Sequence, residues 1–397
     1  MSRRLLFVLN TRSDYYGYHY DYSCGGCGAC ANCMAPTAAS KSGTLPWSGN
    51  SGLYNSCAYV VDMLNAAGVA SRMIQVDSAS EIGQAVAACD PTDVICEAFF
   101  VAPATIKALA TTYPLIRWWL RNHSEIIFLS QDSNAMQWIA GYLAIPSMSL
   151  SANAARSVAD FRNITEAYFP HWDAATVADR VQLLPNYHPM IAPLPPIPSA
   201  HGVLNVGCMG AIRPQKNTLQ QAICAMAVAR QLGKTLRFHV NERVDHLAGG
   251  TLKNLKALFR NAPNAELVSH GWLERADFYD LCRQMDIGMQ VSATETFNLV
   301  AADFVTMDRP IVVSPEISWT DPRIQASPTN GADIIKKMLI ALKASSIVAS
   351  NRAGLLKYDA ASQKQWLAVF GMDTHGWTDR PKSFVARPAL ASKETHL

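Results

Sequence analysis

Short β-rich runs alternate with longer stretches of helical spacing through the first half of the chain. Leu5 to Leu9, Arg72 to Val76, Val94 to Cys96 and Ile126 to Leu129 read as strands, and Leu53 to Ala67, Ile82 to Ala88 and Ile106 to Leu120 as helices. Helical patterns at Ala135 to Leu143 and Ala152 to Phe161 follow, and Val181 to Leu184 closes the series. This is the βαβ signature of a parallel sheet covered by helices on both faces.

Six prolines then fall in the fourteen residues from Pro185 to Pro198. Each fixes φ and removes a backbone donor, so neither a helix nor a central strand runs through. The alternation restarts with Leu204 to Val206, Leu219 to Gln231, Leu236 to Val240, Leu252 to Phe259, Leu267 to Ser269, Phe278 to Met285, Ile287 to Val291, Leu299 to Met307 and Ile311 to Val313. Helical patterns at Ile334 to Ala344 and near Ala361 to Phe370 precede an irregular tail. The expectation is α/β, with two doubly wound Rossmann-like domains facing across a cleft where ligands bind at the carboxyl ends of the strands. The boundaries are 1–184 for the first domain, with an insertion at 11–52, 185–198 for the linker and 199–350 for the second domain. Residues 351–379 supply closing helices able to pack back on the first domain, and 380–397 a tail.

The 397 residues are enough for two or three domains at about 150 residues each. Hydrophobic residues at 49% against charged residues at 16% exclude a disordered or fibrous chain. Lys and Arg number 11 against 14 Asp and Glu through residue 190, and 23 against 17 beyond it. No region has the dense positive charge of sequence-independent nucleic-acid binding. The apolar run after Arg3 and Arg4 is too short for a signal-peptide core and no run reaches membrane-spanning length, which points to a cytoplasmic location.

The candidate chemistry lies mainly in the second half. After the strand Leu204 to Val206 comes Gly207-Cys208-Met209-Gly210-Ala211-Ile212-Arg213-Pro214-Gln215-Lys216-Asn217, with a helix from Thr218. Gly207 and Gly210 allow close backbone approach, and Arg213 and Lys216 bring two cations to a helix start whose free N–H groups favour an anion. That outlines a diphosphate site, set against a plain surface loop with two solvated cations. The stretch Glu295-Thr296-Phe297-Asn298-Leu299-Val300-Ala301-Ala302-Asp303 follows the strand Ile287 to Val291. A helix starting near Phe297 aims its first amides into the cleft, with Glu295 placed for sugar hydroxyls and Asp303 for a ribose. The alternative is a loop Glu and a helix Asp that meet no ligand.

Gly210 with Lys216 six residues on, His270-Gly271-Trp272 after a strand, Asp286 before Ile287 to Val291, Glu295 to Asp303, and Asp308-Arg309-Pro310-Ile311-Val312-Val313 form an ordered set. The set resembles the donor domain of retaining glycosyltransferases with two Rossmann-like domains, the GT-B type that includes sucrose synthases and bacterial mannosyltransferases. The resemblance covers roughly residues 200 to 315, and the first half by architecture alone. It implies a nucleotide-diphosphate sugar as donor, with Lys216 and Arg213 on the diphosphate and backbone around Gly271 and Trp272 bordering the base. Glu295, Thr296 and the amides of Phe297, Asn298 and Leu299 would then face the transferred sugar, and Asp303 the ribose. It further implies internal return, in which the departing diphosphate helps deprotonate the incoming hydroxyl and no catalytic metal takes part. Two departures stand out: the family usually has Glu where Asp303 stands, and an arginine where Ala211 stands. A non-catalytic binding or assembly module and a nucleotide-sugar epimerase are the competing readings. A phosphorylase would need a lysine holding pyridoxal phosphate, and no segment invites that assignment.

Residues 11 to 52 are far longer than the usual βα loop of about 2 to 6 residues. They hold Tyr15, Tyr16, Tyr18, His19, Tyr20 and Tyr22, then Cys24, Cys27, Cys30 and Cys33. The tyrosines suit stacking on acceptor sugars or packing as a lid. Cysteines at intervals of three have metal-knuckle spacing, which leaves a structural zinc, with His19 or Cys57 replacing one of the four, an iron–sulfur cluster, or metal-free thiols or disulfides. Cys89, Cys96, Cys208, Cys224 and Cys282 read as small core residues. On the acceptor side Glu97 and Asp132 follow strands and are candidates to hydrogen-bond an acceptor hydroxyl, although Asp132 equally suits a helix cap. Leu115 to Arg121 reads as a helix packed on the sheet rather than on a membrane surface. Glycan, lipid, protein and modified nucleobase acceptors all remain open.

Overall fold

The computed structural model describes residues 3–10, 52–130, 134–241 and 249–370. The N-terminal half builds a six-stranded, wholly parallel sheet of order β2-β1-β3-β4-β5-β6. Its strands are β1 (Arg4–Asn10), β2 (Ala70–Val76), β3 (Asp93–Glu97), β4 (Arg117–Asn122), β5 (Met148–Ala152) and β6 (Val181–Leu183). The helices between them are α1 (Gly52–Ala66), α2 (Ala79–Cys89), α3 (Pro103–Thr112), α4 (Ile126–Leu129), α5 (Ala135–Leu143), α6 (Ala155–Tyr168) and α7 (Ala174–Arg180). One face of the sheet packs Leu6, Val8, Trp118 and Leu120 under α2 to α6, and the other packs Leu5, Phe7, Ile95 and Trp119 under α1.

Two expectations in this half are corrected. Leu115 to Arg121 is not helical, because Arg117–Asn122 is the central strand β4. Trp118 and Leu120 enter one core while Trp119 enters the other, so both faces are buried and the polar alternation that marks a strand is missing. Ile126 to Leu129, expected as a strand, is instead the single helical turn α4, closed by the amides of Phe128 and Leu129 on the Glu125 carbonyl at 2.9 Å each.

The C-terminal half repeats the architecture with a five-stranded parallel sheet of order β11-β10-β7-β8-β9. Its strands are β7 (Val203–Gly207), β8 (Thr235–Asn241), β9 (Ala265–His270), β10 (Ile287–Gln290) and β11 (Ile311–Val313). The helices are α8 (Thr218–Gln231), α9 (Gly249–Arg260), α10 (Arg275–Arg283), α11 (Leu299–Thr306), α12 (Gly331–Ala341) and α13 (Ser345–Val369). The chain leaves β7 toward β8 on one side and returns as β10 on the other, so the β7–β10 boundary is the switch point where such sheets open a crevice.

Two glycines seat α11 at that boundary. Gly207 and Gly288 are register partners, and a Cβ on them would come within 2.8 Å and 2.7 Å of the Phe304 ring. The bare backbone admits that ring, and α11 sits close to the sheet with its N-terminus at the strand ends.

Helix α13 starts in the core of the C-terminal half with Ile347 and Leu355. It ends in the N-terminal core, where Trp366, Leu367 and Phe370 join Leu5, Phe7 and Val60. The linker lies beneath it, with the Pro185 carbonyl accepting from Trp366 Nε1 at 2.8 Å and the His188 amide donating to Asp359 at 3.0 Å.

Candidate functional site

The loops leaving β7 and β10 emerge side by side because those strands are paired, Val206 with Ile287 and Gly207 with Gly288. Gly210 turns with φ of +107°, a conformation that costs a residue with a Cβ. The loop then tightens into a 3-10 turn over Pro214–Lys216, and Asn217 starts α8 from a left-handed conformation. Buried Gln221 ties the two loops together: its amide donates to the Lys216 carbonyl at 2.7 Å and its oxygen accepts from the Val291 amide at 2.8 Å. A third link runs from the Ala293 amide to the Gln215 carbonyl at 2.7 Å.

These links place Lys216 Nζ on the Glu295 carboxylate as an ion pair. Asn298 Nδ2 reaches the same carboxylate oxygen at 2.9 Å and Gln290 Oε1 at 2.9 Å, and Gln290 in turn donates to the Met209 carbonyl at 2.9 Å. Asn298 also caps α11, its Oδ1 accepting from the Ala301 amide at 2.8 Å. The helix therefore begins two residues later than the sequence suggests, and its amide-rich end opens where Lys216 and Glu295 meet. Phe297 is a core anchor, fully buried against Trp319 and Tyr358, with its carbonyl accepting from Trp319 Nε1 at 3.1 Å.

At the other edge, Asn241 at the end of β8 accepts from the Gly210 amide at 2.9 Å and donates to the Gly271 carbonyl at 3.1 Å. Trp272 beside it keeps 37% of its surface exposed. Gly210 and Gly271 thus join through Asn241, and Lys216, Glu295 and Asn298 join through Gln290 to the Met209 carbonyl, so the two sets meet at the Met209–Gly210 peptide. Arg213 sits at the rim of this cluster with the guanidinium 5.2 Å from the Phe128 ring, across the cleft, and its Nε is buried without a partner among the described residues.

Asp303 is set apart from that cluster. It is 2% exposed, and its carboxylate takes Arg275 Nη2 at 2.5 Å, Arg275 Nη1 at 3.1 Å and His188 Nε2 at 2.8 Å. Burial holds His188 below its ordinary pKa against the opposing pull of Asp303, so the imidazole is neutral. Arg275 is sandwiched between Tyr59 of α1 and Tyr279, with centroids at 5.1 and 4.5 Å. Both oxygens of the carboxylate expected on a ribose are engaged inside the protein, where the short Asp side chain reaches the linker.

Glu97 likewise faces inward. Its side chain is fully buried against Arg121 Nη1 at 3.1 and 3.2 Å, and it pairs with His123. Burial pushes its carboxyl up, but Arg121 and His123 outweigh burial and hold it below the ordinary range. Arg121 is also bound to the Leu184 and Pro185 carbonyls and to Asn186 Oδ1 at 2.8, 3.0 and 2.6 Å, so the pair locks the sheet to the linker. Asp132 and the cluster Cys24, Cys27, Cys30 and Cys33 lie outside the described residues, as does His19. Cys57 is wholly buried in the core beneath α1, and burial raises its thiol pKa far above the ordinary value. Among the described residues no group of three or more His, Cys, Asp or Glu is placed to hold a metal, and no helix is long and apolar enough to cross a membrane.

Four cleft residues of the N-terminal half were missed from the sequence: His123, Glu125, Asn153 and Arg156. The His123 carbonyl accepts from Thr296 Oγ1 at 3.2 Å, and Asn153 Nδ2 reaches Thr296 Oγ1 at 3.0 Å. Burial, aided by Arg121, holds His123 below its ordinary pKa against the opposing pull of Glu97. For His123 and Glu125 the signal was a run of polar residues directly after β4, hidden by reading that strand as a helix; Asn153 and Arg156 follow β5, which the sequence pattern did not mark as a strand.

No protein-family model and no curated protein matches the sequence. Solved structures match by fold. Sucrose-phosphate synthase from Thermosynechococcus elongatus superposes with a TM-score of 0.60 at 11% identity, over 93% of this chain and 98% of that one. Anabaena HepE in complex with UDP gives 0.57 at 11% identity, over 92% and 98%. TarM from S. aureus gives 0.52 at 14% identity over 70% of this chain, which spans about half (54%) of TarM. The architecture is thus that of the GT-B glycosyltransferases, with two parallel-sheet, Rossmann-like units facing across a cleft.

Proposed function

We propose that this protein is a glycosyltransferase that takes a sugar from a nucleotide-diphosphate sugar and passes it, with retention, to an acceptor hydroxyl. The observation that carries the reading is the convergence of Lys216, Glu295, Asn298 and the N-terminus of α11 at the switch point of the second sheet. In this reading the diphosphate lies against the first amides of α11, beside Lys216 and Arg213, and the base borders Gly271 and Trp272. HepE, which shares the fold, is described in complex with UDP.

Glu295 is turned toward the diphosphate subsite by Lys216 and Asn298, which leaves its second oxygen for sugar hydroxyls. As the sugar–phosphate bond ionises, positive charge spreads over the ring and negative charge collects on the leaving diphosphate. Lys216, Arg213 and the helix amides are preorganised for that negative charge, which is where electrostatic catalysis is strongest. The departing oxygen then receives the proton of the incoming hydroxyl on the same face, as the new bond forms to the anomeric carbon. Two cations and a helix end carry the charge, so the reading assigns no metal to the step. Asp303 has no place on the ribose here; it holds Arg275 and the linker.

Thermal-shift and calorimetric titration with UDP-glucose, UDP-N-acetylglucosamine and GDP-mannose tests the donor site. At least one should raise the melting temperature, and Lys216→Ala should abolish that rise without changing the unliganded melting point by more than a few degrees. An unchanged shift in Lys216→Ala removes the lysine from the site, and no binding by any nucleotide sugar rejects the reading.

A further inference from the structure

We propose that Arg156 is a positioning residue: it closes the cleft onto the loop that carries Glu295 and thereby makes recognition of the sugar depend on closure. Arg156 lies in the first turn of α6, whose N-cap is Ala154 and supplies no capping side chain. The helix therefore presents its positive end and a guanidinium together to the other half of the molecule.

The guanidinium is used in three directions. Nη2 donates to the Glu295 carbonyl, Nη1 to the Glu316 carbonyl at 3.0 Å, and Nε to the Glu125 carboxylate. The other oxygen of Glu125 accepts from Thr294 Oγ1 at 2.7 Å. On the far side of Glu295, Thr296 Oγ1 accepts from Asn153 and donates to the His123 carbonyl. Three consecutive residues, 294, 295 and 296, are thus each held by the N-terminal half. The Glu295 side chain, by contrast, is held by Lys216 and Asn298 of its own half. Its backbone is fixed from one side of the cleft and its carboxylate from the other.

The diphosphate subsite has a different dependence. Lys216, Asn298 and the start of α11 are joined through Gln221 and Gln290, all within the C-terminal half. A nucleoside diphosphate therefore meets most of its partners in an open cleft, whereas the sugar meets a correctly placed Glu295 only after Arg156 has engaged. A planar fork serving three acceptors cannot be replaced by an ammonium, so lysine at 156 keeps the charge and loses the geometry. This inference rests on the donor reading for what Glu295 binds, and on contacts independent of that reading for what Arg156 holds.

The test compares wild type, Arg156→Lys and Arg156→Ala by calorimetry, using the best-binding nucleotide sugar of the three above and its matching nucleoside diphosphate. The diphosphate dissociation constant should stay within about twofold, while that of the nucleotide sugar rises about tenfold or more in Arg156→Ala and by an intermediate factor in Arg156→Lys. Equal changes for the two ligands, or no change for the sugar nucleotide, overturn the proposal. Hydrogen exchange on the ligand-free proteins is the second readout. Amides of residues 293–298 should exchange about tenfold faster in Arg156→Ala, with β5 unchanged; unaltered exchange there also overturns it. If wild type binds no nucleoside diphosphate, the donor reading fails and exchange alone decides the clasp. Thr294→Ala, which deletes one hydroxyl, should shift the same two readouts in the same direction and serves if Arg156→Ala does not fold.

Discussion

Asp359 is the most exposed to test of the buried groups, because the structure gives it a burial cost and little to offset it. It sits in α13 at 6% exposure, and its one amide donor is that of His188 at 3.0 Å. Burial lifts its pKa to about 8, opposed only by that amide. In the unfolded chain an aspartate titrates near about 3.9. The folded state therefore keeps a proton that the unfolded state gives up, and stability falls as pH rises from about 4 to about 8, then levels off. From pH 4 to 7 the loss is roughly three pH units at about 1.4 kcal/mol each, on the order of 4 kcal/mol. Asp359→Asn keeps an acceptor for the His188 amide and cannot ionise. It should match wild type near pH 4.5 and exceed it by about 2–4 kcal/mol at pH 7 in urea unfolding. Curves for the two proteins that run parallel from pH 5 to 8, or a variant less stable at pH 7.5, would show that Asp359 is ionised in the fold and that the reasoning is wrong.

Two further substitutions probe what joins the halves. Glu97→Gln leaves the fully buried Arg121 charge without its counterion and should cost about 3–5 kcal/mol in denaturant unfolding; a loss under about 1 kcal/mol would mean that the linker carbonyls alone satisfy Arg121. Gly354→Ala lies in the interior of α13, where alanine would ordinarily add about 1 kcal/mol of helix stability. A Cβ there falls 2.1 Å from the Trp319 carbonyl oxygen, so the clash should win and the variant should be less stable by about 1–3 kcal/mol; a stabilised variant would mean that α13 is free to shift.

The second half was legible because its strands are short, apolar and separated by helices of clear period, so that β7 to β11 emerge where the runs Leu204 to Val206 and Ile311 to Val313 place them. Gly210, Lys216 and Glu295 were legible for the same reason: residues at the ends of correctly placed strands fall at the mouth of the sheet. The first half was read less well where burial removed the pattern. In β4 the sequence Arg-Trp-Trp-Leu-Arg-Asn offers no alternation, since Trp118 and Trp119 enter opposite cores and Arg121 is neutralised by a partner from β3. Misplacing that strand hid His123 and Glu125, which take their positions from its end. Asp303 illustrates a different limit. Spacing puts a carboxylate just over one turn from the N-terminal end of a helix, but only packing decides that Arg275 and His188 are within its reach.

The two ends of this arrangement are carried by one short helix. Asn298 at the start of α11 fixes the Glu295 carboxylate, and Asp303, five residues on, fixes His188 of the linker and Arg275 beneath Tyr59 of α1. Phe304 anchors the helix between them in the space left by Gly207 and Gly288. An eight-residue helix gripped by the sheet moves as a unit. A rotation of the halves about the linker would be felt at Asp303, at one place on α11, and at the contacts of Arg156, Glu125 and Asn153 at the other. The aspartate that departs from the resembling family's glutamate therefore stands where the linker meets α11. Its carboxylate is committed to His188 of the linker and to Arg275, so it ties the linker to the helix whose N-terminus lies beside Lys216 and Glu295.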